Sequence, residues 1–88
     1  MNMATLNELE EDLKGFKNTL VIADFDIIAR LVDVVEEDDD FYWVYDTMNG
    51  VIKQSCVFKW IPLKGILRQD DYLRMVHVWN LNKEQKAD

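Results

Sequence analysis

The chain of 88 residues is 49% apolar and 31% charged, a balance that suits one globular domain and argues against disorder or a second core. Its net charge of −7 opposes indiscriminate nucleic-acid binding, and its single cysteine, Cys56, excludes an internal disulfide and fits a reducing cytoplasm. No basic start with an apolar run follows Met1, and no uncharged run reaches ten residues, so neither a secretory leader nor a membrane-spanning helix is expected.

Charge is unevenly distributed. Residues 1–52 carry three cationic and thirteen anionic side chains, whereas residues 53–77 carry Lys53, Lys59, Lys64, Arg68 and Arg74 against only Asp70 and Asp71. A locally basic face on an acidic protein is therefore compatible with the sequence.

The first element is a helix over about residues 5–16. Leu6, Leu9, Leu13 and Phe16 recur at helical spacing, Thr5 and Glu8 form a T-x-x-E capping box, and Gly15 lies near the end. From Leu20 onward β-branched and aromatic residues dominate. "TLVIA" and "FDIIARLVDVV" read as strands, separated by "DFD" or bent continuously through it; the acidic run Glu36–Asp40 is a polar break before "FYWVYDTM". Asn49-Gly50 suits a type I′ turn with positive φ at both residues. In the run that follows, Ile52, Cys56, Phe58 and Trp60 face one way and Lys53, Ser55 and Lys59 the other, with Pro62 at a strand end or edge.

"LKGILRQDD" reads as a loop. "YLRMVHVWNL" reads as a last strand, apolar on both faces, and residues 81–88 as a polar tail. The expected fold is mainly β: an N-terminal helix capping a strongly bent, barrel-like five-stranded antiparallel sheet, with strands over about 20–80 in one domain spanning 1–88. The small core and the doubly apolar last strand point to oligomerisation.

Helix followed by five short antiparallel strands is the order of the Sm-like (LSm) fold, and "YDTMNGV" resembles its first motif, in which an aromatic and an aspartate precede Met-Asn in a hairpin loop. "LKG" at 63–65 resembles the turn of the second motif. Thr47 stands alone between Asp46 and Met48, where the Sm motif has two residues. The pieces "DIIARLVDVVEEDDDFYWVYD", "FKWIPL" and "MVHVW" are similar to a family of small Sm-like proteins of presumed cyanophage origin, over roughly residues 20–84. The resemblance implies a homo-oligomeric ring of about five to seven subunits that binds RNA, or single-stranded DNA, in the cytoplasm of the host. It places nucleic-acid contacts at Asp46, Asn49, Lys64 and Arg68.

Each residue also has a plainer role. Asn49 offers a donor and an acceptor to a base edge, yet an Asn-Gly turn needs it for backbone reasons alone. Lys64 and Arg68 suit phosphates, or a base stacked on Arg68, but also fit a solvated loop. Tyr42, Trp43 and Tyr45 are stacking platforms or core. The run Glu36–Asp40 lacks the spacing and glycine of a calcium loop and reads as a hairpin turn. Cys56 and His77, lacking an orienting third group, read as packing residues. Neither a catalytic set, a metal site nor a cofactor motif is legible, so the expected activity is non-enzymatic. The alternative class is a phage assembly or protein-interaction module with no nucleic-acid role.

Overall fold

The computed structural model describes residues 5–23 and 26–86. Helix α1 spans Leu6–Phe16, and strands β1 to β5 span Leu20–Ile22, Ile28–Glu37, Asp40–Thr47, Gly50–Ser55 and Ile61–Pro62. A 3₁₀ turn at Leu63–Gly65 then leads to helix α2, Gln69–Lys86. The sheet is antiparallel in the order β4-β3-β2-β1-β5. Among the described residues β4 and β5 pair on one side only, so the sheet is open and its two ends are edges.

Helix α1 begins where its capping box places it. The Thr5 hydroxyl accepts from the Glu8 N–H at 3.2 Å, satisfying one of the donors that a helix start leaves without an intrahelical partner. Leu9 and Leu13 are buried, and Leu6 and Phe16 pack beside them. They cover one sheet face, where Val21, Ala29, Leu31, Val34, Trp43 and Tyr45 form the larger core.

The C-terminal segment departs from expectation. The run "YLRMVHVWNL" is not a last strand but the middle of α2, which continues through most of the expected polar tail. The fifth strand is instead the two-residue β5, whose Pro62 occupies a sheet edge, as a residue without a backbone donor requires. Val76 and Val78 favour a strand locally, but Tyr72, Met75, Val76 and Trp79 recur at helical spacing and pack on the second face with Leu20, Leu63, Ile22, Met48 and Leu67. Asp70 and Asp71 lie in the first helical turn, where the dipole favours anions. The double apolarity remains in helical form, because Leu73, Val78 and Leu81 stand exposed on the outer side of α2. The fold is thus mixed α and β, with a helix on each face of an open sheet.

The two tight turns are reversed from their expected chemistry. The β2–β3 hairpin closes Glu37 on Asp40 through Asp38 and Asp39, whose φ of 52° and 68° carry the type I′ signature. The β3–β4 hairpin closes Thr47 on Gly50, so its loop residues are Met48 and Asn49, and the left-handed φ of 116° belongs to Gly50 alone. Asn49 therefore has no positive-φ requirement. Asp tolerates the left-handed region through local side-chain hydrogen bonding, which a search for Asn-Gly overlooks.

Replacing Asp38 by Asn and Asp39 by Gly supplies the preferred I′ pair and removes two adjacent like charges. The urea midpoint should rise by the equivalent of about 0.5–1 kcal/mol. Gly50→Ala should lower stability by about 1 kcal/mol through φ alone, since a Cβ there meets nothing within 4 Å. A lower midpoint for the first variant would contradict the turn assignment.

Candidate functional site

Strands β2 and β3 are in simple hairpin register from Glu37–Asp40 up to Asp33–Val44, after which Val32 is left over as a bulge. Beyond the bulge Arg30 stands opposite Asp46. The extra residue shifts the pairing by one and bends the strand, which brings a cation to the root of the β3–β4 hairpin. Arg30 Nη2 lies 3.1 Å from Asp46 Oδ2, and Lys83 Nζ, from the last turns of α2, lies 2.7 Å from Oδ1. Lys83 also donates to the Thr47 carbonyl and lies 5.8 Å from the Trp79 ring centroid.

Asp46 is 9% exposed. Burial raises its pKa, but the hydrogen bonds and positive charges of Lys83 and Arg30 more than offset that, so the carboxyl lies below its ordinary value. Asp46 is accordingly engaged within the protomer, as the acceptor that ties the hairpin to α2. Sequence reasoning overlooked Arg30 and Lys83; a lone Arg in the apolar run "IIARLV" was the available signal, because a cation in a buried strand needs a partner.

Asn49 is exposed at the hairpin tip. Its N–H donates to Thr47 Oγ1 at 3.1 Å, and that hydroxyl donates to the Gly50 carbonyl at 2.7 Å. Lys64 Nζ reaches the Gly15 carbonyl at 3.3 Å and sits 4.9 Å from the Phe16 ring centroid, at the C-terminal end of α1, where a cation complements the dipole. Arg68 is exposed just before α2, and its carbonyl accepts from the Tyr72 N–H. Asn49 and Arg68 therefore present side chains outward, whereas Asp46 and Lys64 hold elements together. The hairpin root is fastened near the far end of α2 and Arg68 precedes its start, so most of the helix length separates the two within one protomer.

Trp43 and Tyr45 are buried in the core, which leaves Tyr42, half-buried, as the accessible member of that trio. Among the described residues no three His, Cys, Asp or Glu side chains gather as a metal would require. Burial pushes the Cys56 thiol up to about 11, which disfavours the nucleophilic thiolate. Cys56 packs on the α1 side of the sheet, while His77 is exposed on α2. No helix is long and apolar enough to cross a membrane among the described residues. No family model, curated protein or solved structure matches the chain.

Because the Asp46 pKa is depressed on folding, its contribution is complete above the unfolded value of about 3.9 and disappears as pH falls through the lower folded value. Urea midpoints measured from pH 7 down to pH 3 should show an acid limb that Asp46→Asn flattens. The same variant should cost about 1–3 kcal/mol at pH 7, where Arg30 and Lys83 lose their ionised acceptor. An unchanged acid limb in the variant would remove Asp46 from the latch.

Proposed function

We propose that the protein is a non-enzymatic, Sm-like nucleic-acid-binding module that assembles as a homo-oligomeric ring and binds RNA. The observation that carries this reading is the open five-stranded sheet. An N-terminal helix precedes five antiparallel strands, although "MVHVW", one of the matched pieces, lies in α2 and the fifth strand is the two-residue β5; the sheet ends in two edges, β4 and β5. Pairing β4 of one copy with the short β5 of the next would engage the β5 edge and part of the longer β4 edge, and repetition by rotation closes a ring of about five to seven subunits. Exposed Val51 on β4 and Ile61 on β5 lie on those edges, and the outer face of α2 adds Leu73, Val78 and Leu81 as apolar surface to bury on assembly.

RNA contact in this reading belongs to Asn49 at the hairpin tip and Arg68 before α2, with Asp46 and Lys64 holding the elements that present them. Asn49 offers its amide to a base edge, and Arg68 meets a phosphate or stacks on a base. Copies arranged in a ring bring several of each residue to one rim, which a single protomer cannot do. A phage origin and a cytoplasmic site of action follow from the resemblance alone. The second reading, a protein-interaction or assembly module, is favoured by the net charge of −7 and by the internal engagement of Asp46 and Lys64.

Light scattering at micromolar concentration should give a mass of several subunits. Val51→Lys with Ile61→Lys, charges placed on both edges, should reduce it to a monomer with unchanged circular dichroism. RNA retention should weaken with salt, and Arg68→Ala should lower the salt slope by about 0.7 for each phosphate of a single strand that Arg68 neutralises. A multimer without salt-dependent RNA retention would select the protein-interaction reading, and a clean monomer would end the ring.

A further inference from the structure

On the α1 face lies a cavity of about 310 Å³ lined by Leu9, Asp12, Trp43, Cys56, Lys59 and Trp60. Its size is at the lower end of the roughly 300–1,000 Å³ found for small-molecule sites, so it suits one mono- or bicyclic group. Trp60 is braced on two sides. Its ring centroid lies 5.5 Å from that of Trp43 at an interplanar angle of 83°, and 5.3 Å from that of Phe16 at 66°. Both are edge-to-face contacts, which hold the aromatic wall in place before any ligand arrives. The hairpin-tip and pre-α2 residues assigned to RNA above play no part in this cavity.

Two opposite charges belong to the same lining. Asp12 and Lys59 are exposed, and among the described residues neither forms an ion pair, with the other or with a third group. An occupant that matches the cavity is therefore planar and aromatic, offers hydrogen-bond donors to a carboxylate, and carries an anion for an ammonium group.

We propose that this cavity holds a guanine base together with its phosphate, an assignment that rests on the nucleic-acid reading above. Trp60, half-buried and braced by the buried Trp43, is the aromatic wall against which one face of a base lies. A carboxylate has two acceptor oxygens and no donor, and the guanine Watson–Crick edge sets two donors side by side, N1–H and the 2-amino group. Adenine, cytosine and uracil each offer one donor on that edge, flanked by acceptors that a carboxylate repels. Asp12 is thus the selecting residue and Lys59 the phosphate partner. The shared chemistry is the guanine nucleotide, either free or as one residue of a single strand.

The test follows tryptophan fluorescence of the full chain, since Trp43 and Trp60 line the cavity. GMP, guanosine, AMP, CMP and UMP are titrated in turn, with a guanine-containing and a guanine-free oligoribonucleotide as separate arms. The expected result is saturable quenching by GMP, at least tenfold tighter than by the other three nucleotides. Asp12→Asn should abolish that preference, and Lys59→Gln should reduce GMP affinity to that of guanosine. Both replaced residues are exposed, and circular dichroism confirms that the variants fold. Absence of saturable quenching by guanine ligands, equal affinity for all four nucleotides, or GMP binding untouched by both variants would each overturn the proposal. Loss of the guanine oligomer's advantage in Asp12→Asn assigns the cavity to a strand, while GMP selectivity without oligomer retention assigns it to the free nucleotide and removes the RNA reading. RNA retention that persists without GMP binding removes the cavity proposal and leaves the RNA reading standing.

Discussion

A narrow sheet in water has two faces, and in this chain each must be covered by a helix that the same short sequence supplies. The demand is sharpest at β1. Val21 is fully buried in the α1 core, while its neighbours Leu20 and Ile22 belong to the α2 core. Three consecutive apolar residues on a strand point to alternate sides, so burying all three requires cover on both. Helix α1 meets the first demand and α2 the second, and the Leu20 N–H donates to the Tyr72 hydroxyl of α2 at 3.2 Å. The helical state of residues 69–86 follows from that geometry: a fifth long strand would have extended the sheet and left its second face bare.

Cover by α2 is fixed at both ends. The 3₁₀ turn Leu63–Gly65 follows directly from β5 and places Leu63 beside Trp79, while Lys83 closes on Asp46 and the Thr47 carbonyl. The ion triad matters less for its Coulomb energy than for its specificity. A carboxylate at 9% exposure is costly without partners, so the hairpin root is stable only with Arg30 opposite and Lys83 above. Asp46 thereby ties the hairpin root to the last turns of α2.

The same economy shapes the candidate sites. Residues that make the fold coherent, Asp46 and Lys64 among them, are engaged internally, while Asn49 and Arg68 are exposed, and Asp12 and Lys59 line the α1-side cavity without an ion pair among the described residues. A protein of net charge −7 that recognises nucleic acid has to do so locally, through base stacking and a few placed cations, because its overall field repels phosphate. The proposed ring and the proposed base cavity are two ways of meeting that constraint, and they lie close together, since Cys56 and Trp60 of the cavity adjoin the edge strands β4 and β5.

Helix α1 was legible residue by residue, because its cap, its stripe and its end are all local. The antiparallel character of residues 20–55 was legible too, from β-branched runs punctuated by polar turns. Turn chemistry was legible only in position: Asp38-Asp39 adopts the left-handed pair and Asn49 does not, since the strand register, not the dipeptide, decides which residues occupy the loop. Hairpin register counted from Glu37–Asp40 would set Asp46 opposite Leu31, and the Val32 bulge alone sets it opposite Arg30. Neither the bulge nor the approach of Lys83, 37 residues away along the chain, leaves a periodic trace. Local composition and patterning settle which residues are apolar and where the chain must turn. Tertiary structure decided that "YLRMVHVWNL" is a helix, because its local preference is divided between valine-rich strand and i, i+3, i+4 stripe, and only the uncovered second face of the sheet breaks that tie.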